Sequence, residues 1–261
     1  MCDGAVSAAY DAIAREYDRH LEDDAWMRRI LWGRYGQVFR PGHHVLDVGC
    51  GTGTDALFLA RRGVRVSAID VSAAMVAQAR AKVAGHGLAD MVQVAVLDIG
   101  ELASLPAAGF DGVISSFAAL NTLPTLTQFA ADAARLLRPQ GRLIVHLLNR
   151  SSLWEWAGLV AHGRWAEARR LGGRRERVFA VGGHPVRHYL PRANEAYVRY
   201  FSPYFRLCRA FGLGITRPPH PIRHVPEAAL AALGLLDVLI GQRHPFIDWG
   251  HFVVLEMERG G

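Results

Sequence analysis

Three glycines at alternate positions, Gly49, Gly51 and Gly53, follow a short apolar run at 45–48. Glycine lets a backbone turn tightly and approach a ligand, and the free N–H groups that open a following helix attract polar ligand groups. The spacing is GxGxG, whereas the dinucleotide-binding fingerprint is GxGxxG with its third glycine at position 54, where this chain has Thr. The turn therefore predicts a ligand-binding loop but does not identify the ligand.

The second candidate ligand-binding feature is a single acidic residue. Asp70 ends a predicted strand, 17 residues after Gly53. A carboxylate at the carboxyl end of the second strand can accept hydrogen bonds from both hydroxyls of a ribose. Together with the glycine turn, Asp70 predicts a nucleoside cofactor on a Rossmann-like sheet. The alternative for Asp70 is a solvated strand end.

The elements that must position these residues follow from the hydrophobic pattern. Between about 44 and 148, short β-branched runs alternate with helical stretches, which is typical of βαβ units around a parallel sheet. Two further strands are predicted near the carboxyl terminus. The predicted fold class is α/β, a Rossmann-like seven-stranded and mainly parallel sheet with helices on both faces. The predicted strands are 45–48, 64–69, 91–96, 110–115, 142–147, 213–216 and 252–257, and the predicted helices are 55–62, 73–84, 126–137 and 227–236. Ser72 is the predicted N-cap of the helix at 73–84.

The character of the chain changes after residue 150. Residues 151–205 contain 10 of the chain's 24 aromatic residues, and many arginines with few acids. We interpret this stretch as an aromatic and Arg-rich insertion after the fifth strand, either a lid over an apolar pocket or a small core of its own. The chain then divides into an N-terminal helical cap at 1–40, a cofactor-binding core at 41–150, the insertion at 151–205, and a completion of the sheet at 206–261.

Composition limits the classes of protein that fit. The 261 residues carry a formal charge of +6, yet Lys82 is the only lysine, so the excess of arginine indicates a compositional bias more than adaptation to nucleic acid. Cys2, Cys50 and Cys208 form no CxxC pair, which predicts no metal site and a reducing compartment. There is no signal-peptide core, and Asp237 interrupts the longest apolar run, which argues against a membrane span. We expect a soluble cytoplasmic protein.

Five segments in order resemble the motifs of class I S-adenosylmethionine (SAM)-dependent methyltransferases. An ordered set is far more specific than any one motif. A sixth segment, YDAIAREYD at 10–18, is similar to the N-terminal helix of the small-molecule branch, the methyltransferase type 11 or ubiquinone-biosynthesis-like group. The five motif segments are VLDVGCGTGTDA at 45–56, SAIDVS at 67–72, LDI at 97–99, FDGVISSFAALNTL at 110–123 and LLRPQGRLIVHLLN at 136–149.

The resemblance implies SAM as the cofactor and gives roles to particular acids. An acid in the place of Asp47 positions the amino-acid end of the cofactor. Asp70 binds the ribose, and Asp98 binds the exocyclic amine of adenine while the next backbone N–H reaches a ring nitrogen. The full set of expected cofactor-binding residues is Tyr17, Asp47, Gly49, Cys50, Gly51, Gly53, Asp70, Val71, Met75, Asp98, Ile99 and Ser115.

Two of these roles have equally good structural alternatives. Adenine is expected to pack on Val71 or Met75, but Met75 also fits the plain core of a helix. By resemblance Tyr17 covers the cofactor near its sulfonium, and the alternative is a half-buried helix aromatic.

Candidates for catalysis are few, because methyl transfer from a sulfonium is an in-line displacement that depends mainly on alignment and on exclusion of water. A base is optional, and it helps where the nucleophile must lose a proton. His146 and Asn149 lie near the carboxyl end of the fifth strand, His188 lies in the insertion, and Asn121 follows the fourth strand. Each of the four is also typical of a structural hydrogen-bonding residue.

The absence of three known motifs reduces the number of acceptor classes that fit the sequence. The fourth strand is not followed by an Asn/Asp-Pro-Pro-aromatic segment, and there is no Pro-Cys motif and no double-glutamate loop. A small organic acceptor, partly apolar or aromatic, is expected, with no nucleic-acid partner and an undetermined oligomeric state. Three alternatives stay open: an RNA or protein methyltransferase that uses the Arg-rich stretch 164–192, a non-catalytic SAM-binding protein, and a nicotinamide dehydrogenase.

Overall fold

The computed structural model describes residues 4–20, 25–219 and 225–260, so Cys2 and two short parts of the predicted cap, 1–3 and 21–24, lie outside the described residues. Within these ranges one sheet has seven strands in the order β3-β2-β1-β4-β5-β9-β8, and a separate pair joins β6 and β7. The strands are β1 (His44–Val48), β2 (Arg65–Asp70), β3 (Val92–Val96), β4 (Phe110–Ser115), β5 (Leu137–Leu148), β6 (Glu176–Val181), β7 (His184–Tyr189), β8 (Phe205–Leu213) and β9 (Phe252–Arg259).

The helices of the described chain pack on this sheet or belong to the insertion. Short 3₁₀ turns occupy 99–104, 119–122, 171–173 and 246–249, and a π-helical turn occupies 197–201. The α-helices are α1 (Gly4–Ile13), α2 (Tyr17–His20), α3 (Ala25–Val38), α4 (Thr54–Ala60), α5 (Ala73–Gly85), α6 (Thr127–Leu136), α7 (Leu153–Ala161), α8 (Trp165–Arg170), α9 (Ala193–Ala196) and α10 (Glu227–Ile240).

The predicted fold class is confirmed. Strands β1 to β5 pair in parallel, and β9 and β8 complete the sheet in antiparallel pairing. The central strands read as continuous apolar runs because helices cover both of their faces. The predicted cap at Ser72 is also observed, since its hydroxyl accepts a hydrogen bond from the Met75 N–H at 3.1 Å and starts α5.

Two buried layers lie on the two faces of the sheet. One layer contains Met27, Leu31 and Tyr35 of α3 together with side chains of α4 and α5. The other contains Phe129 of α6 and Phe201 of the π-helical turn. Helices therefore flank both faces, and the loops at the carboxyl ends of the parallel strands are left at one edge of the sheet.

The predicted strand at 213–216 is wrong in position. The strand that pairs with β9 is β8, from Phe205 to Leu213, so it begins at the last residue of the predicted insertion and ends where the predicted strand starts. β8 is the last strand of the sheet, and its exposed side carries Arg206. An edge strand with charged side chains lacks the apolar run of a central strand, and this explains why the hydrophobic pattern missed it.

The insertion has its own secondary structure. It contains α7, α8, the β6–β7 hairpin and α9. The hairpin turn packs on α1, because a Cβ at Gly182 would lie 2.7 Å from the backbone oxygen of Ala9 and 2.8 Å from the Cβ of Ala12. The hairpin and the N-terminal helix thus form a contiguous cover at one side of the sheet edge.

No helix among the described residues is both long enough and apolar enough to cross a membrane. The same residues bring together no group of three or more His, Cys, Asp or Glu side chains suited to hold a metal ion.

Two glycine substitutions test the packing of α3 on the sheet. A Cβ at the buried Gly112 of β4 would overlap the ring of Phe39 and lie 2.6 Å from its Cζ. Gly112→Ala is therefore expected to lower the free energy of unfolding by about 1 to 3 kcal/mol, as overpacking does. The measurement is a urea titration at unchanged m-value.

The matched control is Gly33→Ala on the exposed face of α3, where a Cβ would meet no atom within 4 Å. Replacing a helical glycine in open space should raise the free energy of unfolding by about 0.5 to 1 kcal/mol. Equal effects of the two substitutions would contradict this account of the Phe39 contact.

Candidate functional site

The site begins where β1 ends. Gly49, Gly51 and Gly53 have φ angles of 72°, 52° and 77°, in the left-handed region that favours glycine. A Cβ at Gly49 would overlap the Cβ of Ala119, and one at Gly51 would lie 3.3 Å from the Tyr17 ring. The turn therefore needs glycine both for its backbone conformation and for close approach to its neighbours.

Asp70 joins this turn to the end of β2. Its Oδ2 accepts a hydrogen bond from the Gly51 N–H at 2.8 Å, and its Oδ1 accepts one from the Ser72 N–H at 2.9 Å. Burial raises the pKa of the Asp70 carboxyl, while these two backbone hydrogen bonds act in the opposite direction. A partly buried carboxylate oriented by backbone donors is well suited to accept further hydrogen bonds from a ligand's hydroxyl groups.

A cavity of about 590 Å³ opens between the turn, Asp70 and the N-terminal helices. Six of the twelve expected cofactor-binding residues line it, namely Tyr17, Gly49, Gly51, Asp70, Val71 and Ile99. Six residues on its wall were not predicted from the sequence, namely Val6, Tyr10, Ser116, Phe117, Ala119 and Thr122. Four of these lie just after β4. Because ligands bind at the carboxyl ends of parallel strands, their position after a predicted strand could have identified them.

The other six expected residues surround the cavity without being part of its described lining. Met75 is buried and Cys50 is half-buried, while Gly53 immediately precedes α4. The Ser115 hydroxyl donates to the Val48 carbonyl at 2.9 Å, and it is the neighbouring Ser116 that reaches the wall.

Asp98 and Asp47 complete this second group. The Asp98 carboxylate accepts the Gly100 N–H at 2.6 Å and caps the 3₁₀ turn that carries Ile99 to the wall. Asp47 lies in the core below the turn, where it is 1% exposed.

The N-terminal helix is held over the cavity by specific contacts. The Asp11 carboxylate accepts the Ser72 hydroxyl at 2.6 Å and the Ala74 N–H at 3.0 Å, and the Ser7 hydroxyl donates to the Val71 carbonyl at 3.2 Å. These contacts tie α1 to the start of α5, across the mouth of the cavity.

Two tyrosines line the covered side of the cavity. The rings of Tyr10 and Tyr17 meet edge to face, with their centroids 6.3 Å apart. Burial, with a further effect from the charge of Asp70, raises the pKa of Tyr10 to about 12, so its phenol stays neutral at physiological pH. Tyr17 begins a helical turn that is anchored through Asp18, whose carboxylate accepts hydrogen bonds from the Thr52 hydroxyl at 2.6 Å and from the Lys82 ammonium at 2.7 Å.

Beneath the turn lies a buried cluster of charges. The Arg28 guanidinium is 2.6 Å from the Asp55 carboxylate, which also accepts the Trp32 indole N–H at 2.7 Å. The same guanidinium stacks 4.2 Å from the centre of the Phe117 ring, and Phe117 lines the cavity. This cluster therefore supports the cavity wall from below.

Asp47 is the incomplete member of this cluster. Its Oδ2 is buried and has no hydrogen-bond partner within the described residues. Burial raises the pKa of the Asp47 carboxyl well above its usual range, the negative charge of Asp55 adds to the effect, and Arg28 opposes it. An unpartnered buried acid is costly in a ligand-free protein, and it fits a cationic ligand group.

The described lining of the cavity includes none of the three catalytic candidates, His146, Asn149 and His188. His146 accepts the Phe117 N–H at 3.1 Å through Nδ1, and burial lowers its pKa well below the usual range, so its imidazole is neutral. Asn149 donates to the carbonyls of Ile247 and Gly250. His188 is buried in β7, where its ring packs edge to face on Phe179 at 5.1 Å. Each residue has a structural contact, and a role in transfer stays a prediction.

Comparisons with known proteins agree with this geometry. Residues 45–141 match the family described as "Methyltransferase domain". The ubiquinone biosynthesis O-methyltransferase of Xanthomonas oryzae pv. oryzae is 39% identical over 112 residues, which are 42% of this chain and 45% of that protein. The demethylmenaquinone methyltransferase of Beutenbergia cavernae is 35% identical over 147 residues, which are 54% and 56%. The chain thus spans about half the length of these curated relatives.

A solved structure extends the likeness to nearly the whole chain. The 1,6-didemethyltoxoflavin-N1-methyltransferase of Burkholderia thailandensis has a TM-score of 0.60 at 17% identity, and the match covers 99% of this chain and 88% of that one. Identity at this level shows a common fold and no more.

Fold and site together define a Rossmann-like α/β protein with a pocket of the nucleoside-binding type at the carboxyl ends of β1, β2 and β4. Within that class, the match of residues 45–141 to the methyltransferase-domain family agrees with the resemblance seen in the sequence.

The state of Asp47 can be tested through protein stability. Because its folded-state pKa is raised, the native protein holds the Asp47 proton to a higher pH than the unfolded chain does. Stability is therefore lost as the pH rises from the unfolded value of about 3.9 toward the raised pKa. Asp47→Asn removes this loss, so the variant should be more stable than the parent at neutral pH, with the difference vanishing below about pH 4.

The measurement is the urea midpoint of both proteins across this pH range, without ligand. Asp90→Asn, at an exposed carboxylate, is the control and should show little difference between pH 4 and pH 7. An Asp47→Asn variant that is less stable than the parent at neutral pH would show that the Asp47 carboxylate is charged and paired.

Proposed function

We propose that this chain transfers a methyl group from SAM to an oxygen, nitrogen or carbon atom of a small organic acceptor. The observation that carries the proposal is the cavity in which the left-handed glycine turn, Asp70 and the two N-terminal tyrosines meet, within a domain that matches the methyltransferase family. A nicotinamide dehydrogenase is disfavoured because position 54 is Thr where its fingerprint requires glycine.

The residues present fit SAM on three counts. Asp70 offers a carboxylate, already oriented by Gly51 and Ser72, to the ribose hydroxyls. Asp47 offers a buried oxygen without a partner to the ammonium of the amino-acid end, directly or through water. The side chains of Val71 and Ile99 provide apolar surface for a base. Asp98, which caps the 3₁₀ turn that starts at Ile99, is the acceptor that we propose for the exocyclic amine of that base.

The chain's own contribution to transfer is alignment and exclusion of water. The chemistry supplied by bound SAM is a sulfonium methyl group that a nucleophile takes by in-line displacement. Tyr10, Tyr17 and Phe117 surround the cavity with aromatic surface, while Ser116 and Thr122 bring hydroxyl groups to its wall. An aromatic wall of this kind helps to exclude water, which favours the reaction without a dedicated base.

We extend the proposal to His146 as a positioning residue. Its Nδ1 holds the Phe117 N–H, and its backbone carbonyl accepts the Ala118 N–H at 3.2 Å. Phe117 and Ala118 both have positive φ, 50° and 67°, a strained conformation for residues other than glycine. His146 therefore supports a strained segment that forms part of the cavity wall. Asn149 and His188 remain candidates for contact with the acceptor.

The charge pattern of the insertion favours a small acceptor over RNA. Five of the nine arginines at 151–205 pair with glutamates, which reduces the basic surface that the insertion could present to RNA. Named relatives that act in ubiquinone biosynthesis and on demethylmenaquinone support an acceptor with apolar or aromatic character. The ion pairs are Arg164–Glu167, Arg174–Glu167, Arg175–Glu195, Arg177–Glu155 and Arg187–Glu176.

Calorimetry with SAM and NAD side by side tests the cofactor. SAM should bind and NAD should not, and Asp70→Ala should weaken SAM binding by about 1 to 3 kcal/mol, because hydrogen-bonding groups of the ligand lose their partner. Asp90→Ala, at an exposed acid, is the matched control and should leave SAM affinity unchanged. Unchanged affinity in Asp70→Ala, in a protein that retains its circular dichroism spectrum, would refute the assigned cofactor site.

Turnover needs a separate experiment, because binding alone does not distinguish an enzyme from a non-catalytic SAM-binding protein. Incubation with methyl-labelled SAM and a metabolite extract, followed by mass identification of the labelled product, should give a small organic product. Label recovered in RNA or in protein would favour the macromolecular alternatives.

A further inference from the structure

A second cavity lies behind the wall of the cofactor cavity. It is an open cavity of about 630 Å³ between the start of α6, the end of β5 and the insertion. Most of its wall is apolar, built from leucines and prolines, with two tyrosines. The apolar and aromatic lining residues are Leu120, Leu123, Pro124, Leu126, Leu147, Tyr189, Leu190, Pro191 and Tyr200.

The 3₁₀ turn at 119–122 separates the two cavities. Ala119 and Thr122 line the cofactor cavity, whereas Leu120 and Asn121 line the second one. The Asn121 amide donates to the Tyr189 carbonyl at 2.6 Å and to the Leu148 carbonyl at 3.2 Å, and its Oδ1 accepts the Leu148 N–H at 2.8 Å. These bonds close the partition, so the second cavity is a site of its own.

Positive side chains outnumber negative ones on the described wall of this cavity. Arg150, Arg175 and Arg199 line it together with one acid, Glu195. Glu195 lies 2.5 Å from Arg150 and 3.5 Å from Arg175. Burial alone would raise the pKa of Glu195, but the hydrogen bond from Arg150 and the charges of both arginines lower it, so Glu195 is ionised. The wall therefore carries a net excess of positive charge.

The base of the cavity is preorganised. Arg150 is only 8% exposed, and it is held by the Leu190 carbonyl on Nε at 3.0 Å and by Glu195 on Nη2. A guanidinium has five N–H groups, so these two bonds leave donors available. Arg199 lies 5.3 Å from the centre of the Tyr200 ring, and no described carboxylate forms an ion pair with it. Four other arginines of the insertion, by contrast, each form an ion pair with a glutamate; they are Arg164, Arg174, Arg177 and Arg187.

We infer that this cavity is a second ligand site, which binds a small organic anion with its carboxylate among Arg150, Arg175 and Arg199 and its apolar body against the leucines and prolines. Arginine recognises a carboxylate through paired charge-assisted hydrogen bonds, and the apolar wall contributes by burial. The inference does not rest on methyl transfer, because it uses none of the residues proposed to hold the cofactor.

Calorimetry with 4-phenylbutyrate and with its neutral amide, both without SAM, tests the site. The carboxylate should bind at least about tenfold more tightly than the amide, the effect expected of a charge-assisted hydrogen bond. The double variant Arg175→Gln/Arg199→Gln should weaken carboxylate binding by at least about tenfold. Both arginines are exposed, so the fold should tolerate the change.

The matched control is Arg164→Gln/Arg187→Gln, which removes two exposed and ion-paired arginines of the insertion that are not on the described wall of this cavity. It should leave carboxylate binding unchanged, as should Asp70→Ala in the cofactor cavity. The inference is overturned if neither probe binds at about 10 mM, if the amide binds as well as the carboxylate, or if Asp70→Ala abolishes binding. Failure of the unmodified protein to bind SAM, with its carboxylate binding intact, would count against the proposed function alone.

Discussion

The hydrogen bond from the Gly51 N–H to the Asp70 carboxylate, 2.8 Å long, joins the loop after β1 to the end of β2. The floor of the first cavity is built on this contact, because the glycine turn and Asp70 both line it. The contact requires the left-handed conformation of the glycine turn, and it fixes one face of Asp70 while leaving further acceptor capacity on the same carboxylate. Because Gly51 lacks a side chain, the Tyr17 ring can also approach the turn, so one short contact brings loop, acid and cover together.

A second constraint is the buried charge beneath the turn. Burying an ion pair such as Arg28 with Asp55 contributes little net stability, since the desolvation of both charges offsets their attraction. Its value here is positional, because the same guanidinium stacks on Phe117. The buried Oδ2 of the nearby Asp47 is left without a hydrogen-bond partner within the described residues. The domain thus keeps a costly acid in its core at the place where a cationic ligand group would relieve the cost.

The insertion serves both cavities through short elements instead of through one large core. Its hairpin packs on α1 at Gly182 and so braces the cover of the first cavity. Its Tyr189 carbonyl accepts from Asn121 and closes the partition between the two cavities. Five of its arginines form ion pairs with glutamates, and Arg150, Arg175 and Arg199 line the second cavity together with one glutamate. A movement of the 119–122 turn would therefore be felt in both sites.

The sequence by itself determined the features that depend on neighbouring residues. The glycine spacing, the strand that ends in Asp70, the cap at Ser72 and the alternation of strands and helices follow from local backbone preference and hydrophobic period, and all were predicted. Six residues of the cavity wall, including Tyr17 and Ile99, were also predicted.

Only the tertiary structure decided which distant residues meet. Tyr10 reaches the cavity because Asp11 binds Ser72, and the separation of the two cavities exists because Asn121 binds Tyr189. The bounds of the edge strand β8 were not predicted, because its pairing with β9 depends on backbone hydrogen bonds, which impose little pattern on the sequence. Contacts of this kind join segments that are far apart in the chain, and neither spacing nor composition encodes the partner.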